Sequence, residues 1–205
     1  MALAEVIKTG CANIAIWHKT ETVEELKEIL EDNDIFNKIK TSYSNTKRQT
    51  EQLISHILIK HLLGQVKEIK HRSNGAPYIE NCENKFISIS HSKKSIAVAI
   101  SEKPIGIDLE EIDRKQYSLH KKFTTTNEQL WIESSDNKQL ISAIIWSAKE
   151  AIYKLANIEK LLFESEIEIA PFNPTKESNF IATYRGKVVN CQFSSGSCQL
   201  LVVSC

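Results

Sequence analysis

The sequence predicts an α/β protein of the α+β kind, made of two similar halves in which helices stand beside short strands. Three observations carry this reading. Strand-like runs and helical periodicities recur in both halves of the 205 residues, and Glu102-Lys103-Pro104 interrupts the pattern midway. A content of 41% apolar and 25% charged residues is that of a soluble globular chain long enough to bury a sizeable core. The halves are accordingly 1–103 and 104–205. No sequence repeat is visible, so a duplicated α/β unit is inferred from element types alone.

Taken in order, Ala12 to Trp17 reads as a strand, and Thr22-Val23-Glu24-Glu25 opens a helix with Thr22 as cap and Glu25 completing a capping box. From Thr46 to Leu63, Leu53, Ile54, Ile57, Leu58 and Leu62 recur at helical spacing, and Gly64 supplies a stop. Asn74-Gly75-Ala76-Pro77 is a turn, followed by strands at Phe86–Ser90 and Ser95–Ile100. The second half gives a strand over 105–110, a helix around Asn127 to Glu133 and a long helix from Lys138 to Leu155. Lys187 to Val203 reads as a hairpin turning at Ser194-Ser195-Gly196-Ser197.

Composition excludes some partners. Lysine plus arginine and aspartate plus glutamate balance at 26 each, leaving no long-range field for nucleic acid or an anionic membrane. Five cysteines, an odd number without a C-x-x-C pair, read as reduced thiols. Neither a leader segment nor a membrane-spanning run is seen, so a cytoplasmic location is expected.

Two segments concentrate chemistry. In Gly106-Ile107-Asp108-Leu109-Glu110, strand alternation puts Ile107 and Leu109 on one face and Gly106, Asp108 and Glu110 on the other. Two carboxylates on one face repel unless water, a cation or a basic residue lies between them; an edge strand with a wet face is the plain alternative. In Trp146-Ser147-Ala148-Lys149-Glu150-Ala151-Ile152-Tyr153-Lys154, the residues Ile141, Ile144, Ile145, Ala148, Ile152 and Leu155 form an apolar stripe. Glu150 points nearly opposite it, with Trp146, Tyr153 and Lys154 around it, as in a helix covered on both sides. An exposed Glu150 to Lys154 pair at i, i+4 is the bland alternative. Three carboxylates and two lysines suit Mg²⁺ with a phosphate ester, because Mg²⁺ takes oxygen ligands and shares substrate phosphates. Ser88, Ser90 and His91 offer hydrogen bonds to an anion, and strand alternation argues against Ser90 and His91 reacting with each other.

Asn74-Gly75-x-Pro77, Ser88-Ile89-Ser90-His91-Ser92, Gly106-Ile107-Asp108-Leu109-Glu110 and Trp146-Ser147-x-Lys149-Glu150-Ala151-x-x-Lys154 stand in this order. Together they resemble the 4'-phosphopantetheinyl transferase superfamily, in its surfactin-synthetase-type branch with two halves in one chain. The resemblance spans about residues 38 to 155. It implies a monomeric pseudo-dimer with the active site at the interface of the halves. It further implies Mg²⁺-dependent transfer of 4'-phosphopantetheine from coenzyme A to a serine of an acyl or peptidyl carrier protein, releasing 3',5'-ADP. Asp108, Glu110 and Glu150 would hold Mg²⁺, with Glu150 and Lys154 catalytic. Arg48, Gly75, Ser90, His91, Lys149 and Lys154 would bind coenzyme A, and Lys38 and Lys40 are weaker candidates for its 3'-phosphate. Ala76 departs from the lysine that relatives often carry there. Two other readings are a non-catalytic coenzyme A or carrier-binding module of the same fold, and an unrelated Mg²⁺ phosphohydrolase.

Overall fold

A computed structural model describes residues 3–111, 116–175, 178–195 and 199–205. The chain divides into two compact units, Met1–Lys103 and Pro104–Cys205. Both mix helices with antiparallel sheet, the α+β arrangement expected.

In the first unit, β1 (Leu3–Lys8), β2 (Asn13–His18), β6 (Ser95–Ser101) and β5 (Phe86–His91) form a sheet in the order β1-β2-β6-β5. All its pairings are antiparallel. Three helices, α1 (Val23–Leu30), α2 (Asn33–Ser42) and α3 (Thr46–Leu63), intervene between β2 and the short hairpin of β3 (Ile69–His71) and β4 (Pro77–Ile79). Local chemistry explains the helix ends. Thr22 caps α1 in a complete capping box with Glu25, Asp32 caps α2 by accepting from the Ile35 N–H, and Gly64 ends α3 at φ 75°. The core packs Leu53, Ile54, Ile57 and Leu58 of α3 against Ala15, Trp17, Ile96 and Val98 of the sheet.

His56 sits inside that core on α3. Its Nδ1 lies 2.8 Å from the Gln52 carbonyl, and the Ile69 N–H donates to its Nε2 at 3.3 Å. One ring nitrogen donates and the other accepts, so the fold requires neutral imidazole. Burial accordingly holds the His56 pKa below its usual 6.5.

In the second unit, β7 (Gly106–Glu111), β11 (Gln199–Ser204), β10 (Lys187–Ser195), β9 (Asn179–Tyr184) and β8 (Ile167–Ile169) form one antiparallel sheet in the order β7-β11-β10-β9-β8. The strands on either side of the expected late hairpin do pair; of its expected turn, Ser194 and Ser195 still belong to β10, and residues 196 and 197 lie outside the described residues. A 3-10 segment (Tyr117–Lys122), α4 (Thr126–Ser134), α5 (Lys138–Ala156) and α6 (Phe163–Glu166) complete the unit. The α5 stripe of Ile141, Ile144, Ile145, Ala148 and Ile152 is buried against Leu200, Val202, Val189 and Ala182 of the sheet, as the periodicity predicts. Tyr153 is exposed, so α5 is not covered all round.

Cys82 and Cys191 are free thiols, and burial pushes the Cys191 thiol up to about 11. Cys11 and Cys205 are oxidised, which corrects the all-reduced reading for these two. Among the described residues, no helix is long and apolar enough to cross a membrane.

Because the folded pKa of His56 is depressed, its stabilising contribution is complete above the unfolded value of 6.5 and is lost as pH falls below it toward the folded value. The denaturant midpoint of the protein is expected to drop between pH 7.5 and 5.5. That drop should be smaller in His56→Gln, as urea titrations at the two pH values would show.

Candidate functional site

The site of the second unit begins with an approach of two backbones. A Cβ built on Gly106 of β7 would lie 1.8 Å from the Ala151 carbonyl oxygen and 2.8 Å from the Leu155 nitrogen, both in α5. Only glycine lets the strand and helix backbones touch at this point. The φ of Gly106 is not in the left-handed region, so space alone demands the residue here.

From that contact, side chains span strand and helix in order. The Lys154 ammonium donates to the Ile107 carbonyl at 2.8 Å and to Asp108 Oδ1 at 2.9 Å. The Trp146 indole N–H donates to Glu110 Oε1 at 3.0 Å. Asp108 and Glu110 share the β7 face turned to α5, beside their cross-strand neighbours Val202 and Leu200, which belong to the core under the helix. Asp108 is buried, so the wet-face reading of this edge strand does not hold. Trp146, Glu150 and Lys154 are spaced by four, and residues so spaced lie on one side of a helix. Half-buried Glu150 therefore stands between the residues that grip Glu110 and Asp108.

Every acid in this set is a hard oxygen donor, the type Mg²⁺ prefers, and Mg²⁺ commonly uses one or two carboxylates with substrate phosphates as further ligands. In donor chemistry the residues fit the ion. Among the described residues, however, no three His, Cys, Asp or Glu side chains are gathered into a ready-made metal cluster. Asp108, Glu110 and Glu150 are on facing elements and not in a closed three-ligand cage.

Lys149 is a correction. It was expected to reach coenzyme A, yet it is fully buried and its ammonium meets Glu128 Oε2 at 2.7 Å, the Phe163 carbonyl at 2.7 Å and the Ile167 carbonyl at 2.8 Å. Three acceptors use all three of its hydrogens. Glu128, equally buried, accepts the Thr125 N–H on Oε2 and the Ile169 N–H on Oε1, each at 2.8 Å. Burial alone pushes the Glu128 carboxyl up and the Lys149 amine down. The ring of acceptors about Lys149 and of donors about Glu128 favours the ion pair instead. This pair ties α4, α5, α6 and β8 together. The Thr125 and Glu128 capping box is visible in the sequence, but the burial of Glu128 is not.

The remaining expected residues lie in the first unit. Arg48 occupies the first turn of α3 and pairs with buried Glu51 at 2.9 Å. Gly75, at φ 84°, forms the β3–β4 turn, where its N–H donates to the Arg72 carbonyl at 2.9 Å. Ala76 keeps this turn closed, because its N–H donates to Asn74 Oδ1 at 3.2 Å and its carbonyl accepts the Arg72 N–H at 2.9 Å. On β5, Ser90 is buried and His91 exposed, the opposed orientations that strand alternation predicts. Lys38 and Lys40 pair with Glu68 and Glu24 at 3.0 and 3.9 Å.

Residues 104–199 match the family model of the 4'-phosphopantetheinyl transferase superfamily. The chain is 31% identical over 121 residues to the 4'-phosphopantetheinyl transferase gsp of Aneurinibacillus migulanus, covering 55% of this chain and 50% of that one. It is 25% identical over 112 residues to the 4'-phosphopantetheinyl transferase psf-1 of Bacillus pumilus, covering 50% and 48%. It is 32% identical over 84 residues to a 4'-phosphopantetheinyl transferase of Bacillus subtilis, covering 40% and 38%. The chain thus spans about half, or less, of the length of the curated relatives it matches. The resemblance read from the sequence is borne out at the level of the superfamily.

Two stability measurements check this architecture. Gly106→Ala is expected to cost about 1–3 kcal/mol or more through overpacking, while Gly10→Ala, where an added methyl meets nothing within 4 Å, stays within about 0.5 kcal/mol of the parent. Lys149→Met should destabilise by about 3–5 kcal/mol by stranding a buried carboxylate, and adding Glu128→Gln should restore part of the loss. Denaturant titration reads both.

Proposed function

We propose that this chain is a 4'-phosphopantetheinyl transferase, an enzyme that moves 4'-phosphopantetheine from coenzyme A to a serine of an acyl or peptidyl carrier protein. The observation that carries the reading is the α5–β7 pairing, within the matched residues 104–199, of Lys154 with Asp108 and Trp146 with Glu110, with Glu150 between. The two-half resemblance supports a single-chain pseudo-dimer working as a monomer.

In the proposed reaction the carrier serine oxygen attacks the pyrophosphate phosphorus that bears the pantetheine arm. A new phosphorus–oxygen bond forms there, the bond to the other phosphate breaks, and 3',5'-ADP departs with the electron pair. The serine proton passes to Glu150, either on its carboxylate directly or by way of water. Lys154, held beside Asp108 by its bond to the Ile107 carbonyl, is poised to balance charge on the departing phosphate. Asp108, Glu110 and Glu150 would hold Mg²⁺, which supplies charge neutralisation at the phosphoryl oxygens when bound. Arg48 in the first turn of α3 and His91 at the end of β5 supply cationic or hydrogen-bonding contacts to the phosphates of coenzyme A, with Ser90 and the Gly75 turn as further contacts. Lys149 acts on the structure, through Glu128, and makes no contact with coenzyme A in this scheme.

Intact-mass measurement of an apo carrier protein incubated with coenzyme A, Mg²⁺ and this protein is the direct test. The carrier should gain one phosphopantetheine, and Glu150→Ala should abolish the gain. Coenzyme A binding with no gain on any of several carriers would favour a non-catalytic binding module instead.

A further inference from the structure

Glu110 stands next to the last residue of an edge strand, with only Glu111 of β7 beyond it. A glutamate there has three rotatable bonds, and fixing them costs on the order of 1–2 kcal/mol in side-chain entropy. Helix α5 supplies one restraint: the Trp146 indole N–H, 3.0 Å from Glu110 Oε1. The indole is itself fixed. Phe123 meets it edge-on with ring centroids 5.0 Å apart, and Phe163 lies at 5.9 Å with a tilt of 56°. Phe123 is buried, so the aromatic cluster grips Trp146 from the protein side.

We propose that Trp146 is a positioning residue for the divalent cation: it orients the Glu110 carboxylate so that Asp108 and Glu110 act as a pair on one strand face. Tryptophan suits this task because its indole only donates. It cannot bind a cation in place of the acid, as a histidine or carboxylate partner would, and a carboxylate has lone pairs beyond the one that accepts this bond. Partners of this kind fix the direction of a ligand and typically account for about 10–100-fold in metal affinity. The alternative is that Trp146 serves only as an apolar plug between Phe123 and Phe163. The two roles separate on one atom, the indole nitrogen.

The inference rests on the reading of Asp108 and Glu110 as metal-holding acids, and the test keeps the two apart. Mn²⁺ binding is followed by the loss of its free electron-paramagnetic-resonance signal, in the presence of coenzyme A, with a protein-free coenzyme A titration subtracted. Trp146→Phe keeps a ring against Phe123 and Phe163 but removes the N–H. Its Mn²⁺ affinity is expected to fall about tenfold with little change in thermal midpoint, and in a Glu110→Ala background the same substitution should change affinity no further. Affinity equal to the parent's, or an equal fall in both backgrounds, would overturn the positioning role. If the parent protein takes up no Mn²⁺, the metal reading itself fails, and this proposal with it, whatever Trp146 does. Should Trp146→Phe fold poorly, Glu110→Gln gives the complementary measurement: it keeps an acceptor for the indole, so Mn²⁺ affinity should fall and the Trp146 emission stay close to the parent's, and a large emission change would count against the bond.

Discussion

The site depends on one steric fact: β7 and α5 touch backbone to backbone at Gly106 and Ala151. A helix usually lies on a sheet at a distance set by its side chains, but here a missing Cβ and the small Ala151 bring the axis down onto the edge strand. This sets the height of α5 over β7, and the hydrogen bonds then set its register. Eight residue steps of helix, from Trp146 to Lys154, rise about 12 Å. Two residue steps of strand, from Asp108 to Glu110, rise about 7 Å. The side chains that join them must therefore lean toward one another, Lys154 from one end and Trp146 from the other. Glu150 occupies the middle of the span toward which both lean.

Rotation of α5 about its axis is set independently. Lys149 and Lys154 are five residues apart, which turns them about 140° from each other. One enters the buried network of Glu128, Phe163 and Ile167; the other reaches Asp108 and Ile107. A helix held at two points so far around its circumference cannot roll without breaking one of them. Glu150, adjacent in sequence to Lys149, inherits that rigidity. The cost of a buried charged pair is then easier to understand: what Glu128 and Lys149 secure is orientation, whereas an apolar pair of similar volume would secure burial alone.

Much of this was legible in the sequence, for reasons that differ by element. Helix α3 could be read to its ends because an apolar period and the Gly64 stop agree, and α1 because Thr22 and Glu25 make a capping box from local atoms only. Strand alternation correctly placed Asp108 and Glu110 on one face. What alternation could not supply was the partner across that face, since the meeting of β7 with α5 is a contact of high sequence separation. Strand β1 and helix α2 were overlooked. For α2 a signal existed, because Asp32 precedes Ile35, Phe36 and Ile39 at helical spacing.

Lys149 shows how a motif read as a string can mislead where the same motif read as a helix does not. Within Lys149-Glu150-Ala151-Ile152-Tyr153-Lys154 the two lysines look equivalent. On a helical projection Lys149 follows Ile145 by four residues and precedes Ile152 by three, so it belongs with the buried side of the helix. A lysine there must find acceptors in the interior, and the open carbonyls near α6 and β8 together with a buried glutamate provide them. Lys154 lies on the side of Trp146 and Glu150, where the strand carries acids. Helix geometry thus divides one short motif into a lysine that holds the scaffold and a lysine that faces Asp108 of β7. The division follows from the angle of 100° per residue and requires no knowledge of what the protein binds.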